Sequence, residues 1–250
     1  MLHTRVVSAI SLALLGFVAA AWSLTTLPSF QAIGPVREIA SHILANHAFK
    51  PSASVDVLTR IGSSPYLKVL QSGFSRSEAI IYLRWAEEAT LHGQSDEQDR
   101  ETVAAERKVQ CSLSLNPMDG FLWLMLYSVK NIRNGFDRSH LPFLEQSYAT
   151  TPWEGWVALR RSRLALSVFP MISEAVQNTG VREFAALVDS GFLDDAVVIL
   201  TGVGWIQRQR LLDGLTQADI VARERLARRL AQGGVKVEVP GVEVDQRWWR

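Results

Sequence analysis

The chain has 250 residues, 48% of them hydrophobic, and a formal net charge of +1. That is enough chain for one large or two small cores once the N-terminus is set apart. Near-neutrality excludes a global electrostatic pull toward nucleic acid or anionic membrane. One cysteine, Cys111, excludes an intramolecular disulfide and a thiolate-rich zinc site.

No charged residue lies between Val6 and Leu27. As a helix this run measures roughly 33 Å, against a bilayer core of about 30 Å. Arg5 and the free amine precede it, so residues 1–27 read as a transmembrane anchor whose basic end stays in the cytoplasm. The alternative is a cleaved signal peptide with "MLHTR" as its basic start, Val6 to Val18 as its apolar core and Ala19-Ala20-Ala21 as its cleavage box. Either reading places residues 36–250 outside the cytoplasm, in the periplasm of a bacterium. Pro28, Gly34 and Pro35 then mark residues 28–35 as a linker.

From Val36 to Gln232 the signals are helical. "VREIASHILANHAF" is a short amphipathic helix stopped by Pro51, and "VDVLTRIGSSPYLKVL" is interrupted by Gly62 and Pro65. Ser75 and Glu78 have capping-box spacing and open a helix that runs to Gly93. The next helix starts in the acidic stretch "SDEQD" and places Val103, the Arg107 stem and Cys111 on one side.

Two later stretches share a frame at an offset of 35 residues: "NPMDGFLWL" from Asn116 and "TPWEGWVAL" from Thr151. Asn116 and Thr151 suit an N-cap, Pro117 and Pro152 suit the first helical position, and Asp119 and Glu154 follow as first-turn acids. Gly120 and Gly155 come next, where a glycine implies a second backbone passing close. Between the two starts, "FLWLMLYSVKNI" ends at Asn134-Gly135 and "DRSHLPFLEQSYAT" returns to Thr151. This is a helical hairpin, and a period near 34 marks tetratricopeptide-type solenoids. Pro117, Trp123 and Leu126, with Ala105 twelve residues before Pro117, resemble that family's pattern. Tyr127, Lys130 and Gln146 depart from it. Over about residues 75–170 the resemblance implies stacked helical hairpins with a concave, partner-binding surface.

Beyond Phe169-Pro170 the helical restarts continue. "MISEAVQNTG" stops at Gly180, "VREFAALVDSG" at Gly191, and "FLDDAVVILTGVG" and "WIQRQRLLDGL" follow. Thr216 and Asp219 open the last helix, and Gly233-Gly234 closes it. The tail over 233–250 alternates valine with charge, a strand rhythm that gives an extended segment or a small hairpin about Pro240-Gly241. It ends in "RWWR". Neighbours on a strand face opposite sides, so Trp248 and Trp249 cannot both enter the core, and they suit a membrane interface or a docked partner.

The chemistry-bearing residues form no catalytic or metal signature. His42 and His47 are five apart and do not share a helix face, and His92 and His140 have no acid at ligand spacing. Gly202 and Gly204 lack the rest of a phosphate-loop fingerprint. Glu78, Glu87 and Glu88 are the carboxylates that a glycan hydrolase on a helical scaffold would draw on. Trp123, Trp153 and Trp156, with Arg160, Arg161 and Arg163, form the candidate binding set, since arginine beside aromatics recognises anionic groups or acidic partners. A second basic group, Arg223, Arg225, Arg228 and Arg229, lies on the last helix. The expectation is an all-α protein of stacked hairpins over 36–232, without metal or cofactor. It is a non-catalytic scaffold or accessory subunit of an envelope assembly that handles polysaccharide or secretion. Its partner is a protein or envelope polymer, not nucleic acid. The alternative is the envelope glycan hydrolase.

Overall fold

The computed structural model describes residues 2–45, 72–92, 95–152 and 154–243. Among these the protein is all-α, as the sequence periodicity implies, and no strand forms. The chain divides into two compact units, residues 1–115 and 116–250.

The first unit contains α1 (Leu2–Leu44), α2 (Ser72–His92) and α3 (Ser95–Leu115). α1 runs without interruption through Pro28, Gly34 and Pro35, so the expected linker over 28–35 is helix instead. Each proline removes one backbone donor, but the helix continues because its far end is anchored. Val36, Ile39 and Ala40 are buried, and Val36 and Ile39 pack with Ile81 of α2, backed by Ile43, Phe74 and Trp85. α2 begins at Ser72, so Ser75 and Glu78 are not a capping box. Ser75 is buried inside the helix, and Glu78 Oε1 accepts from Lys108 Nζ of α3 at 2.6 Å. α3 turns Thr102, Ala105, Glu106, Val109, Ser112 and Leu113 inward and leaves Arg107 and Cys111 exposed. The buried face is therefore rotated from the expected one. Small residues, Ala105 and Ser112, let α3 approach α2 closely. The interrupted segment about Gly62 and Pro65 lies outside the described residues.

The second unit contains α4 (Gly120–Asn134), α5 (Leu141–Thr150), α6 (Gly155–Ser167), α7 (Glu174–Asp189), α8 (Leu193–Thr201), α9 (Arg208–Gly214) and α10 (Ile220–Gln232). α4 packs on α5, α6 on α7, and α10 on α8, each pair burying facing leucine, valine and alanine side chains. α7 passes through Gly180 instead of stopping there. The space where its side chain would stand holds the Tyr148 hydroxyl and the Phe169 ring, so the glycine serves helix packing. α7 ends instead at Gly191, whose φ of +86° suits glycine.

The twice-written phrase does open two helices 35 residues apart, but three residues later than expected. Asp119, not Asn116, is the N-cap of α4, and its Oδ1 accepts from the Leu122 N–H at 3.1 Å. Asn116 closes a small turn on the Met118 N–H. Glu154, not Thr151, is the N-cap of α6, and Thr151 terminates α5. A terminating residue accepts no helix-start donor, so Thr151 and Glu154 form no capping box. Gly120 does mark a close approach: a Cβ there would overlap Thr151 Oγ1 and lie 2.9 Å from the Ser147 carbonyl. At Gly155 the neighbour is the Phe192 ring at 3.3 Å, not a backbone.

After α10 the chain extends over 235–239, and among the described residues no strand pairs with it; the far arm of the expected hairpin, from residue 244 on, lies outside them. Val239 is buried, and Arg223 Nη1 donates to the Pro240 carbonyl at 2.6 Å. Trp248 and Trp249 lie outside the described residues, as does Trp153.

Candidate functional site

The arginines of "LRRSR" on α6 part company in space. Successive helical residues point about 100° apart, so only one of the three faces the core, and that one is Arg161. It is 0% exposed, which contradicts its expected place on a binding surface. Its Nε lies 3.3 and 3.1 Å from the two carboxylate oxygens of Glu183 on α7, and its Nη2 donates to Glu183 Oε2 as well. Nη2 also donates to the Thr151 carbonyl at 2.9 Å, while Nη1 donates to Ser147 O at 2.7 Å and Ser147 Oγ at 3.1 Å. Ser162 Oγ donates to the other Glu183 oxygen at 3.4 Å. The guanidinium lies 4.3 Å from the Tyr148 ring centroid.

This cluster joins α5, α6 and α7. Burial pushes the Glu183 carboxyl above its ordinary range, and Arg161 and Ser162 oppose that shift without cancelling it. Burial likewise raises the Tyr148 phenol, with the neighbouring Arg161 opposing. A planar fork with every donor engaged holds three helices in register. Glu183 is enclosed at 2% exposure. The three acids singled out in the sequence are also held as counter-ions, Glu78 by Lys108 and Glu87 and Glu88 by Arg84.

Of the other candidate residues, Trp156 and Arg160 reach the surface on an aromatic support. Trp156 is half-exposed against Phe121 at 4.8 Å, and Arg160 lies over the same Phe121 ring at 5.7 Å. Arg163 pairs with Asp195 of α8 at 3.6 Å. Trp123 stacks on Phe143 and donates its indole N–H to the Pro117 carbonyl at 2.8 Å. Trp156 and Arg160 therefore share one aromatic patch, whereas Trp123 belongs to the packing of α4 on α5. His140 is buried with Nδ1 3.0 Å from Asn131 Oδ1. Among the described residues no group of histidine, cysteine or carboxylate side chains is placed to hold a metal ion.

A second constellation is visible only in three dimensions. A cleft of about 500 Å³ opens between the start of α8 and the end of α10, lined by Gly191, Leu193, Asp194, Arg225, Arg228, Arg229 and Gln232. The arginines fall at i, i+3 and i+4, which puts them on one face of α10. Arg229 Nε donates to Asp194 Oδ1 at 2.6 Å. The spacing of the arginines was legible in the sequence, but the wall supplied by α8 some 30 residues earlier was not.

Along α1 the large apolar side chains Leu12, Leu14, Leu15, Phe17, Val18, Trp22, Leu24 and Leu27 are all exposed, Phe17 at 75%. The described side chains from Leu12 to Leu24 cover only about 20 Å of helix. Among the described residues no helix is long and apolar enough to cross a membrane.

No protein-family model matches the chain, and no curated protein or solved structure matches it either.

Proposed function

We propose that this is a membrane-anchored, non-catalytic accessory protein whose bulk faces the extracytoplasmic side and binds a partner through a helical surface. The observation that carries the reading is the exposed apolar stretch of α1. Eight large apolar side chains left in water forgo on the order of 10 kcal/mol of burial, comparable with the whole stability of a domain. A lipid environment removes that deficit. The uncharged run from Val6 to Leu27 has the length to span a bilayer, and Arg5 ahead of it orients the remainder outward. Release to the periplasm after signal cleavage is the alternative outcome.

The partner-binding half rests on the tetratricopeptide-like resemblance and on the sequence-adjacent helix pairs, α2 with α3, α4 with α5 and α6 with α7. Trp156 and Arg160 are the contact residues assigned to this surface. They suit an acidic or anionic partner, either a protein or an envelope polymer.

Alkaline phosphatase fused after residue 40 of the chain in a bacterial host is expected to be active, since that enzyme matures only outside the cytoplasm. An inactive fusion overturns the orientation. Carbonate washing of membranes, with the mass of the mature N-terminus, separates the outcomes. An anchored chain keeps Met1 or Leu2 and stays in the pellet, and a chain that starts at Trp22 is the cleaved form.

A further inference from the structure

We propose that the cleft between α8 and α10 binds a phosphate group, gripped by Arg225 and Arg228, with Arg229 held beside them by Asp194. Three guanidinium groups line the cleft and one carboxylate faces them. That carboxylate is committed to Arg229. Among the described residues no carboxylate pairs with Arg225 or Arg228, and Arg228 Nε reaches only the Glu224 backbone carbonyl, at 3.4 Å. The neighbouring acid on α8, Asp195, is turned to Arg163. Like charges at i, i+3 and i+4 repel one another along a helix, so their assembly around a concavity calls for an anion.

The chemistry of the anion follows from the balance of charge. After Asp194 has neutralised one arginine, the cleft presents an excess of two positive charges, which matches a phosphate monoester better than a single carboxylate. Arginine forks suit phosphate oxygens in paired hydrogen bonds, and Gln232 adds a neutral donor at the rim. The cleft is open to solvent on one side, which leaves room for a phosphate carried on a larger molecule.

The test is calorimetric titration of the full chain in a neutral detergent at low salt, with inorganic phosphate as the probe. Saturable binding is expected, at least tenfold weaker in Arg225→Ala/Arg228→Ala and unchanged in Arg138→Ala/Arg182→Ala. The latter removes the same charge from exposed positions elsewhere in the same unit. No saturable binding by the unaltered chain, equal binding by the cleft variant, or equal loss in both variants overturns the site. Dihexanoyl phosphatidic acid distinguishes the sources of the group. Binding tenfold tighter than inorganic phosphate, and lost in the cleft variant, assigns a lipid headgroup. Binding within about threefold assigns a soluble or polymer-borne phosphate. The titration is indifferent to the topology of α1, so it fails or succeeds independently of the membrane reading.

Discussion

Arg161 Nε and Glu183 Oε2 lie 3.1 Å apart at the junction of α5, α6 and α7, and the two side chains are 0% and 2% exposed. A buried pair of this kind gains little over an apolar pair of the same shape, because both charges are stripped of water. Removing one partner is another matter. Arg161→Leu and Glu183→Leu are each expected to cost about 3–5 kcal/mol. The double variant is expected to cost less than the two singles together by about 1–3 kcal/mol. Urea unfolding of the four proteins checks this, and an additive double variant would show that the pair is not coupled.

The same carboxylate sets a pH dependence. Burial raises its pKa in the folded state above the ordinary 4.5, with Arg161 opposing. Between 4.5 and the raised value the folded protein holds more protons than the unfolded chain, so this group's contribution to stability falls as pH rises through that window. Glu183→Gln removes the titration. The stability of the unaltered protein relative to Glu183→Gln is therefore expected to decline as pH increases above 4.5. A constant difference between pH 4.5 and 8 would contradict it.

Gly120 and Gly155 occupy the same place in the repeated phrase, yet they predict different outcomes. A methyl group at Gly120 meets Thr151 and the Ser147 carbonyl, which already accepts from Arg161 and cannot withdraw. Gly120→Ala is expected to cost about 2–3 kcal/mol through overpacking. At Gly155 the obstacle is the rim of the exposed Phe192 ring, which can swing aside, and alanine reduces unfolded-chain entropy. Gly155→Ala is expected to lie within about 0.5 kcal/mol of the unaltered protein or to stabilise it slightly. Equal destabilisation by the two, measured by thermal unfolding, would refute the distinction.

Capping energies should follow the observed caps. Asp119→Ala is expected to cost about 1 kcal/mol, and Asn116→Ala only a few tenths. Among the described residues the buried Thr151 Oγ1 has no hydrogen-bond partner. Thr151→Val keeps its shape and removes that unsatisfied oxygen, so it is expected to raise stability by about 1 kcal/mol. A destabilised Thr151→Val protein would indicate that the hydroxyl is satisfied after all.

The all-α class was legible in the sequence, as were the glycine stops at Gly135, Gly191 and Gly234, because these depend on local backbone and capping preferences; of the expected start pair only Asp219 caps α10, and Thr216 lies in the short 3-10 turn before it. The same local reading failed at Gly180 and at Pro28 to Pro35, where helix continues through residues that ordinarily interrupt it. Gly180 is occupied by a neighbour from α5, and the end of α1 is held by burial against α2. The face on which each arginine falls was also predictable in angle but not in destination. Arg160, Arg161 and Arg163 differ by fractions of a turn, and only the arrival of Glu183 from α7 decides which of them becomes buried. The cleft of α8 and α10 has the same origin. Spacing along a helix groups side chains on one face, but a wall opposite that face comes from a segment distant in sequence. Packing alone brings it there, since apolar burial is non-directional and leaves no mark in the local pattern of either segment.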